Sequence, residues 1–407
     1  MTYIVVFILY LCARMDEKKK IVFIANPISG TQSKKQVIQR IQKCIDTEKY
    51  TYEVARTEYA GHATLLTAKA VEEGAAIVVA IGGDGTINEV ARALLHTNVA
   101  LGIIPCGSGN GLARHLQIPM NVEKAIEILN QGNISCVDYG KINHIPFFCT
   151  CGVGFDAFVS LKFSKSEKRG PLTYLENMLH EFLSYKPETY EIEVEHGTLT
   201  YKAFLIACAN ASQYGNNVYI APDASLDDGL MDVTIIEPFT VLDIPALAYQ
   251  MFTKTLAQNS RIKTFKCKQI QIHRPNDGVI HFDGDPTEAG KDLYVEIVPK
   301  GIYMVTNKQW KQETGPVSLV QIFSDYYQEI NDLNKQILKE VTGLNKQILQ
   351  KISNTNLIKE PKKLAEYRLK MEQKVQEQKS KIGGKKSAKN GNKNGKLSKD
   401  ESNKDEA

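Results

Sequence analysis

Long apolar runs are scarce in this 407-residue chain: the N-terminal one, Tyr3–Ala13, spans eleven residues, whereas a membrane-crossing helix needs about 20. No basic residue precedes the run and no small-residue cleavage pattern follows it, so it does not read as a signal peptide. Two readings remain: a start at Met15, just before Asp16-Glu17-Lys18-Lys19-Lys20, or a short interfacial anchor. The eight cysteines show no metal-ligand spacing; only Cys149 and Cys151 are close, with no paired His or Cys beside them. Free thiols in a reducing cytoplasm follow. Gly and Pro, at 28 and 14, are too few for a collagenous or low-complexity chain. No GxxxxGK[ST] occurs, and Gly107-x-Gly109-x-Gly111 lacks the third-glycine spacing of a dinucleotide fingerprint, which excludes ordinary P-loop and Rossmann assignments.

What is present is an ordinary globular composition, 43% hydrophobic and 24% charged, over a length that allows two to four domains. The net charge of +4 belongs to the tail, because residues 361–407 hold 14 Lys and Arg against 7 Asp and Glu. No nucleic-acid partner is expected.

From Lys20 onward, short β-branched runs alternate with helical patterns. Strands are predicted at Ile21–Ala25, Thr51–Arg56, Ala75–Ile81 and Val99–Ile104. Helices are predicted at Ser33–Ile45, Gly61–Gly74, Ile87–Leu95 and Val122–Leu129. The uninterrupted apolar character of Ala75–Ile81 fits a parallel strand covered on both faces. Residues 20–132 therefore read as an α/β nucleotide-binding domain with an open, largely parallel sheet.

After Gly132 the pattern becomes strand after strand: Ile134–Ile142, Pro146–Cys151, Tyr190–Glu195, Leu199–Ala209, Met231–Ile236, Ile262–His273, Val279–Phe282 and Leu293–Val298. Helical interruptions are expected at Ala157–Lys165, Tyr174–Leu183 and Val241–Leu256. Residues 133–305 thus read as a second, antiparallel, sandwich-like domain, with the cleft between the two as the place for a site. Residues 317–379, which repeat Leu-Asn-Lys-Gln-Ile-Leu at Leu333–Leu338 and Leu344–Leu349, read as a helical extension. The Lys-, Gly- and Asn-rich residues 380–407 read as a disordered tail, solubilising or attracted to anionic lipid.

Chemistry concentrates at Gly82-Gly83-Asp84-Gly85-Thr86-Ile87-Asn88-Glu89, where an apolar strand gives way to a helix. Glycines let backbone N–H groups approach phosphate oxygens, and the helix N-terminus adds positive potential. A carboxylate there needs a cation beside it or a phosphoryl acceptor to serve; the alternative is a tight turn in which Asp84 or Thr86 caps the helix. A second glycine turn, Gly107-Ser108-Gly109-Asn110-Gly111, follows the next strand. Parallel strands share one C-terminal edge, so both turns and Asn26–Gly30 converge on one nucleotide.

These segments, with Thr57-x-x-x-Gly61-His62-Ala63, resemble the catalytic domain of diacylglycerol and sphingosine kinases, particularly the soluble bacterial lipid kinases, over about Lys20 to Val305. The resemblance implies a kinase that takes ATP and Mg2+ and phosphorylates a lipid hydroxyl on diacylglycerol, a sphingoid base or ceramide. It implies ATP held by Asn26, Pro27, Ser29, Gly30, Thr57, Gly82, Gly83, Asp84, Gly85, Thr86, Asn88 and Ser108. It further implies a magnesium site made of the Asp228 side chain and flanking backbone oxygens at Ser225 and Leu230; without it, Asp227-Asp228-Gly229 is an acidic turn. His281-Phe282-Asp283-Gly284-Asp285-Pro286 is similar to the family's Asp-Gly-Glu-Pro segment, which gives Asp285 the role of proton acceptor, with Asp84 as the rival base. His62, Arg114, His115, Lys34 and Lys35 read as turn, helix or surface residues; Tyr174, Phe182 and Phe252 read as core, with a lipid channel as the alternative. The expected location is the cytoplasm, peripheral at the inner face of the membrane where the lipid lies, with a homo-oligomer left open. The alternatives are a soluble-substrate kinase of the NAD kinase type and a non-catalytic lipid- or nucleotide-sensing adaptor on the same fold.

Overall fold

The computed structural model describes residues 18–328 and 331, except 30–32, 165–180, 183, 196, 309, 311–314 and 319. The first half alternates as its apolar runs demand: β1 (Lys19–Ala25), α1 (Lys34–Cys44), β2 (Tyr50–Arg56), α2 (His62–Glu72), β3 (Ile77–Gly82), α3 (Asp84–Leu94) and β4 (Ala100–Pro105). Every residue of β3 and β4 is buried, because helices cover both faces of the sheet. The strands pair in parallel in the order β2-β1-β3-β4. A short α4 (Gly111–His115) follows, then α5 (Val122–Gln131). Asn121 caps α5 by accepting from the Lys124 N–H, and Gly132 ends it at φ +66°, a conformation that favours glycine.

The second half contains β5 (Ile134–Ile142), β6 (Ile145–Phe147), β7 (Thr150–Gly154), α6 (Phe155–Ser164), β8 (Glu188–Val194), β9 (Gly197–Ala203), β10 (Leu205–Ala209), β11 (Met231–Ile236), α7 (Ile244–Thr253), β12 (Ile262–Cys267), β13 (Gln269–His273), β14 (Gly278–Phe282), β15 (Asp285–Ala289) and β16 (Asp292–Val305). An antiparallel sheet, β12-β11-β10-β7-β14-β15, faces an antiparallel extension of the first sheet, β16-β13-β8-β9, with β5 and β6 attached. Ile142, Phe147 and Ile192 from one sheet and Val153, Ile206 and Val233 from the other share a single apolar core. The fold is thus a mostly parallel sheet with a β-sandwich behind it. The long strand β16 belongs to both, pairing in parallel with β4 at Tyr303–Ala100 and antiparallel with β5 and β13.

Three expected single strands are each two strands in different sheets. Leu199–Ala209 turns its corner at Phe204, Ile262–His273 at Lys268, and Pro146–Cys151 at Phe148–Cys149. The corners hold no Gly or Pro, so the β character of the sequence runs through them unbroken. Two short elements, α4 and β15, lie where no element was expected. Residues 320–328 are helical; the Leu-Asn-Lys-Gln-Ile-Leu repeats, the 380–407 tail, most of Tyr174–Leu183 and the N-terminal apolar run lie outside the described residues. Among the described residues, no helix is long and apolar enough to cross a membrane.

Candidate active site

The two glycine turns leave the C-terminal ends of adjacent strands and pack backbone on backbone. A Cβ on Gly107 would lie 2.5 Å from the Gly83 Cα, so no larger residue fits between them. Asn110, at φ +55°, closes the second turn: its amide donates to the Gly107 carbonyl at 2.8 Å and accepts the Gly107 N–H at 3.0 Å. Asp84 locks the turns together, accepting the Asn110 N–H on one carboxylate oxygen and the Gly111 N–H on the other, each at 2.8 Å. Burial raises its pKa against the pull of those hydrogen bonds. Asp84 thus does not cap the helix it opens, which has no side-chain cap; its carboxylate meets the N-terminus of α4 on the neighbouring turn. Arg114 braces the same turn, its Nε donating to the Gly109 carbonyl at 3.3 Å.

Asn26, at the end of β1, is tied to the first glycine turn at the β3–α3 junction. Its backbone N–H donates to the Ile81 carbonyl at 3.2 Å, and its amide donates to the Thr86 hydroxyl at 3.2 Å. The Ser29 hydroxyl donates back to the Asn26 carbonyl, and the buried Thr57 donates its N–H to Ala25. Gly30 lies outside the described residues. Pro27 and Ser108 are exposed at this edge. Beside them a pocket of about 260 Å3 is lined by Ala25, Pro27, Lys34, Lys35 and Arg56. Three cations surround this cavity at the strand edge, and the Lys34 ammonium also donates to the Ser29 carbonyl.

Two residues of the Asn88-Glu89 pair serve the scaffold. Glu89 accepts the Gly61 and Ala63 N–H groups at 2.9 and 3.1 Å, capping α2, which explains why Gly61-His62-Ala63 accompanies the glycine motif. Asn88 is buried, and its amide donates to Asp283 at 2.6 Å, linking α3 to the turn between β14 and β15. Asp283, at φ +49°, also accepts the N–H groups of Phe148, Cys149 and Thr150 at 2.8, 2.7 and 3.1 Å. Sequence reasoning quoted Asp283 without a role; its partners lie more than 130 residues away, and only the paired Asp-Gly-Asp hinted at a turn.

Asp285, two residues on, opens β15 and is exposed. The protein around its carboxyl raises its pKa, Arg92 opposes that rise, and Glu89 and Asp84 add to it, so these four charges share one electrostatic neighbourhood. Arg92 was missed. Its guanidinium carbon lies 4.8 Å from the centre of the Phe282 ring, and its Nε and Nη2 are buried with no hydrogen-bond partner. His115 and His62 have structural partners: His115 Nδ1 accepts the Ser212 N–H at 3.0 Å, and His62 Nδ1 accepts the Glu58 N–H at 3.1 Å.

At the expected magnesium site, which would use the Asp228 side chain with backbone oxygens of Ser225 and Leu230, the carboxylate is already engaged within the chain. The Ser225 hydroxyl donates to Asp227, Asp228 accepts the Leu230 N–H, and the other Asp228 oxygen is 3.0 Å from the Lys266 ammonium. Among the described residues, no group of three His, Cys, Asp or Glu side chains is placed to hold a metal.

The same architecture is found in known proteins. The family model of the diacylglycerol kinase catalytic domain matches residues 20–142, and that of the YegS C-terminal NAD kinase beta sandwich-like domain matches residues 149–306. A protein of Pectobacterium atrosepticum named "Probable lipid kinase YegS-like" is 28% identical over 282 residues, covering 68% of this chain and 91% of that protein. One of the same name from Yersinia pestis is 27% identical, covering 68% and 94%. The crystal structure of a diacylglycerol kinase from Bacillus anthracis shares the fold, with a TM-score of 0.57 at 20% identity over 71% of this chain and 97% of that one. Together the two matches span the glycine turns, Asp283 and both sheets: this chain carries a diacylglycerol kinase catalytic domain followed by a YegS-type C-terminal domain.

Proposed function

We propose that the protein transfers the γ-phosphoryl group of ATP to the hydroxyl of a lipid: diacylglycerol, a sphingoid base or ceramide. One observation carries this reading: Asp84 locks two glycine turns together at the C-terminal edge of the parallel strands, where open α/β sheets bind their ligands. Pro27, Ser29, Gly82, Gly83, Gly85, Thr86 and Ser108 lie at that edge, and Lys34, Lys35 and Arg56 supply positive charge for the triphosphate. Magnesium, arriving with the nucleotide, neutralises phosphate charge when bound. Asp285 accepts the hydroxyl proton as the oxygen attacks the γ-phosphorus, which a neutral alcohol does poorly unaided. Asp84 orients the turns that hold the phosphates.

The lipid is reached by peripheral contact at the cytoplasmic face. Leu242 is 90% exposed, with Val241 and Tyr249 beside it at 43% and 51%. Behind them, Phe239 packs on Phe182 and Phe204 at ring distances of 5.2 and 4.6 Å. Phe182 is thus packed into an apolar cluster, as the core reading expects.

The test is phosphate transfer from γ-labelled ATP to diacylglycerol, monoacylglycerol, sphingosine, dihydrosphingosine and ceramide in mixed micelles, with NAD as the soluble control. A labelled lipid that disappears with Asp285→Asn supports the proposal. Labelled NAD with no labelled lipid overturns it in favour of a soluble-substrate kinase. ATP binding with no transfer to any acceptor overturns it in favour of a sensor.

A further inference from the structure

The turn between the β10 and β11 strands carries Asp223, Asp227, Asp228 and Asp232 within ten residues, a density of like charge that would normally call for a counter-cation. The counter-cation is already in the chain. Lys266 stands on β12 directly opposite Asp232 of β11. From there its Nζ donates to the Asp223 carbonyl at 3.0 Å and to Asp228 Oδ2 at 3.0 Å, and it lies 3.0 Å from Asp232 Oδ2 as an ion pair. An ammonium has three N–H donors, and three oxygens from three parts of the turn surround this one. The remaining Asp228 oxygen accepts the Leu230 N–H. A divalent ion on Asp228 would have to share it with a fixed positive charge, and magnesium demands near-octahedral oxygen ligands at about 2.0–2.1 Å.

We propose that the Lys266 ammonium replaces the divalent cation at this turn. The loop is then held by a cross-strand side chain, and any magnesium requirement of the reaction belongs to the nucleotide. The turn is anchored from its other side as well. Asp138 of β5 accepts the Gly229 N–H at 2.8 Å and the Lys300 N–H at 2.8 Å, so Lys266 and Asp138 fix opposite flanks of one loop. This inference does not depend on which acceptor is phosphorylated, and its readouts are binding and stability.

The experiment uses the full chain without nucleotide. Thermal melting is followed in excess EDTA and in millimolar Mg2+, and Mn2+ binding is followed by its electron paramagnetic resonance signal. The expected result is one melting temperature in both buffers and free Mn2+ only. A lower melting temperature in EDTA, or bound Mn2+ that Asp228→Asn releases, overturns the proposal. Lys266→Met supplies the second arm: its melting temperature is expected to fall by several degrees and to recover as Mg2+ is added, because two carboxylates are left without their cation. An unchanged melting temperature in Lys266→Met also overturns it. If that variant does not fold, the two wild-type measurements still decide.

Discussion

Replacing Asp283 by Asn should damage the protein far more than an isosteric change suggests. Each carboxylate oxygen serves two donors: Oδ1 takes the Cys149 and Thr150 N–H groups, and Oδ2 takes the Phe148 N–H and the Asn88 amide. An amide has one acceptor oxygen, so either rotamer of Asn satisfies two donors and points its own NH2 at the other two. A buried donor left without a partner costs about 1–3 kcal/mol. Two of them put Asp283→Asn at about 3 kcal/mol, and Asp283→Ala, which abandons four, at about 4–5 kcal/mol after relaxation. Equilibrium unfolding in urea should show this as a midpoint lowered by about 1 M for Asn, with little change in slope. Truncating Asn88 to Ala in the Asp283→Asn background should restore part of the loss, because it removes one of the two opposed donors. An Asp283→Asn protein within about 0.5 kcal/mol of wild type would refute the idea that charge-assisted bonding at this residue holds the two sheets together.

Three further outcomes follow from the structure. Arg92 holds down the raised pKa of Asp285, and a proton acceptor must be ionised; Arg92→Met should therefore move the acid limb of the kcat profile to higher pH, and an unmoved limb would remove Arg92 from the site. His115 is buried neutral with its pKa lowered from 6.5 to about 4. Its contribution, about 3 kcal/mol, is present in full above pH 6.5 and is lost as pH falls from there through about 4. His115→Gln should flatten the pH dependence of the urea midpoint in that window, and a slope unchanged by the substitution would refute the assignment. Leu242, 90% exposed, gains about 1.5–3 kcal/mol when fully buried. Leu242→Glu should weaken sedimentation with phospholipid vesicles at least tenfold while leaving transfer to a short-chain, water-soluble acceptor intact; equal binding would show that the membrane is met elsewhere.

The parallel half of the fold was legible because its strands are bare apolar runs with nowhere to lie except between layers, as Ile77–Gly82 shows. The glycine turns were legible from their position after such runs. The contacts that assemble the site were not. Asn88 and Asp283 are 195 residues apart, and no local pattern connects an amide in a helix to a carboxylate in a β-turn. Asp84 was readable as a cap of its own helix or as a phosphate-side carboxylate; its bonds to Asn110 and Gly111, 26 and 27 residues on, follow from no local pattern. Lys266 sits in an alternating strand, Ile262–Cys267, where a lysine on the outer face is unremarkable until Asp232 is placed opposite. The sheet-switching corners were hidden for a related reason: Phe204 and Lys268 interrupt pairing without interrupting β character.

The strand β16 has a consequence for how the molecule is made. One edge of β4 is closed only when Tyr303 and Met304 arrive beside Ala100 and Leu101. At ribosomal rates of about 5–20 residues per second, the strand that closes it emerges roughly 10–40 s after β4 does. Throughout that interval the nascent chain carries a fully apolar parallel strand with its hydrogen bonds open to any passing partner. A transcript truncated before Asp292 would leave that edge open permanently, so nearly complete fragments should aggregate rather than persist as working half-enzymes.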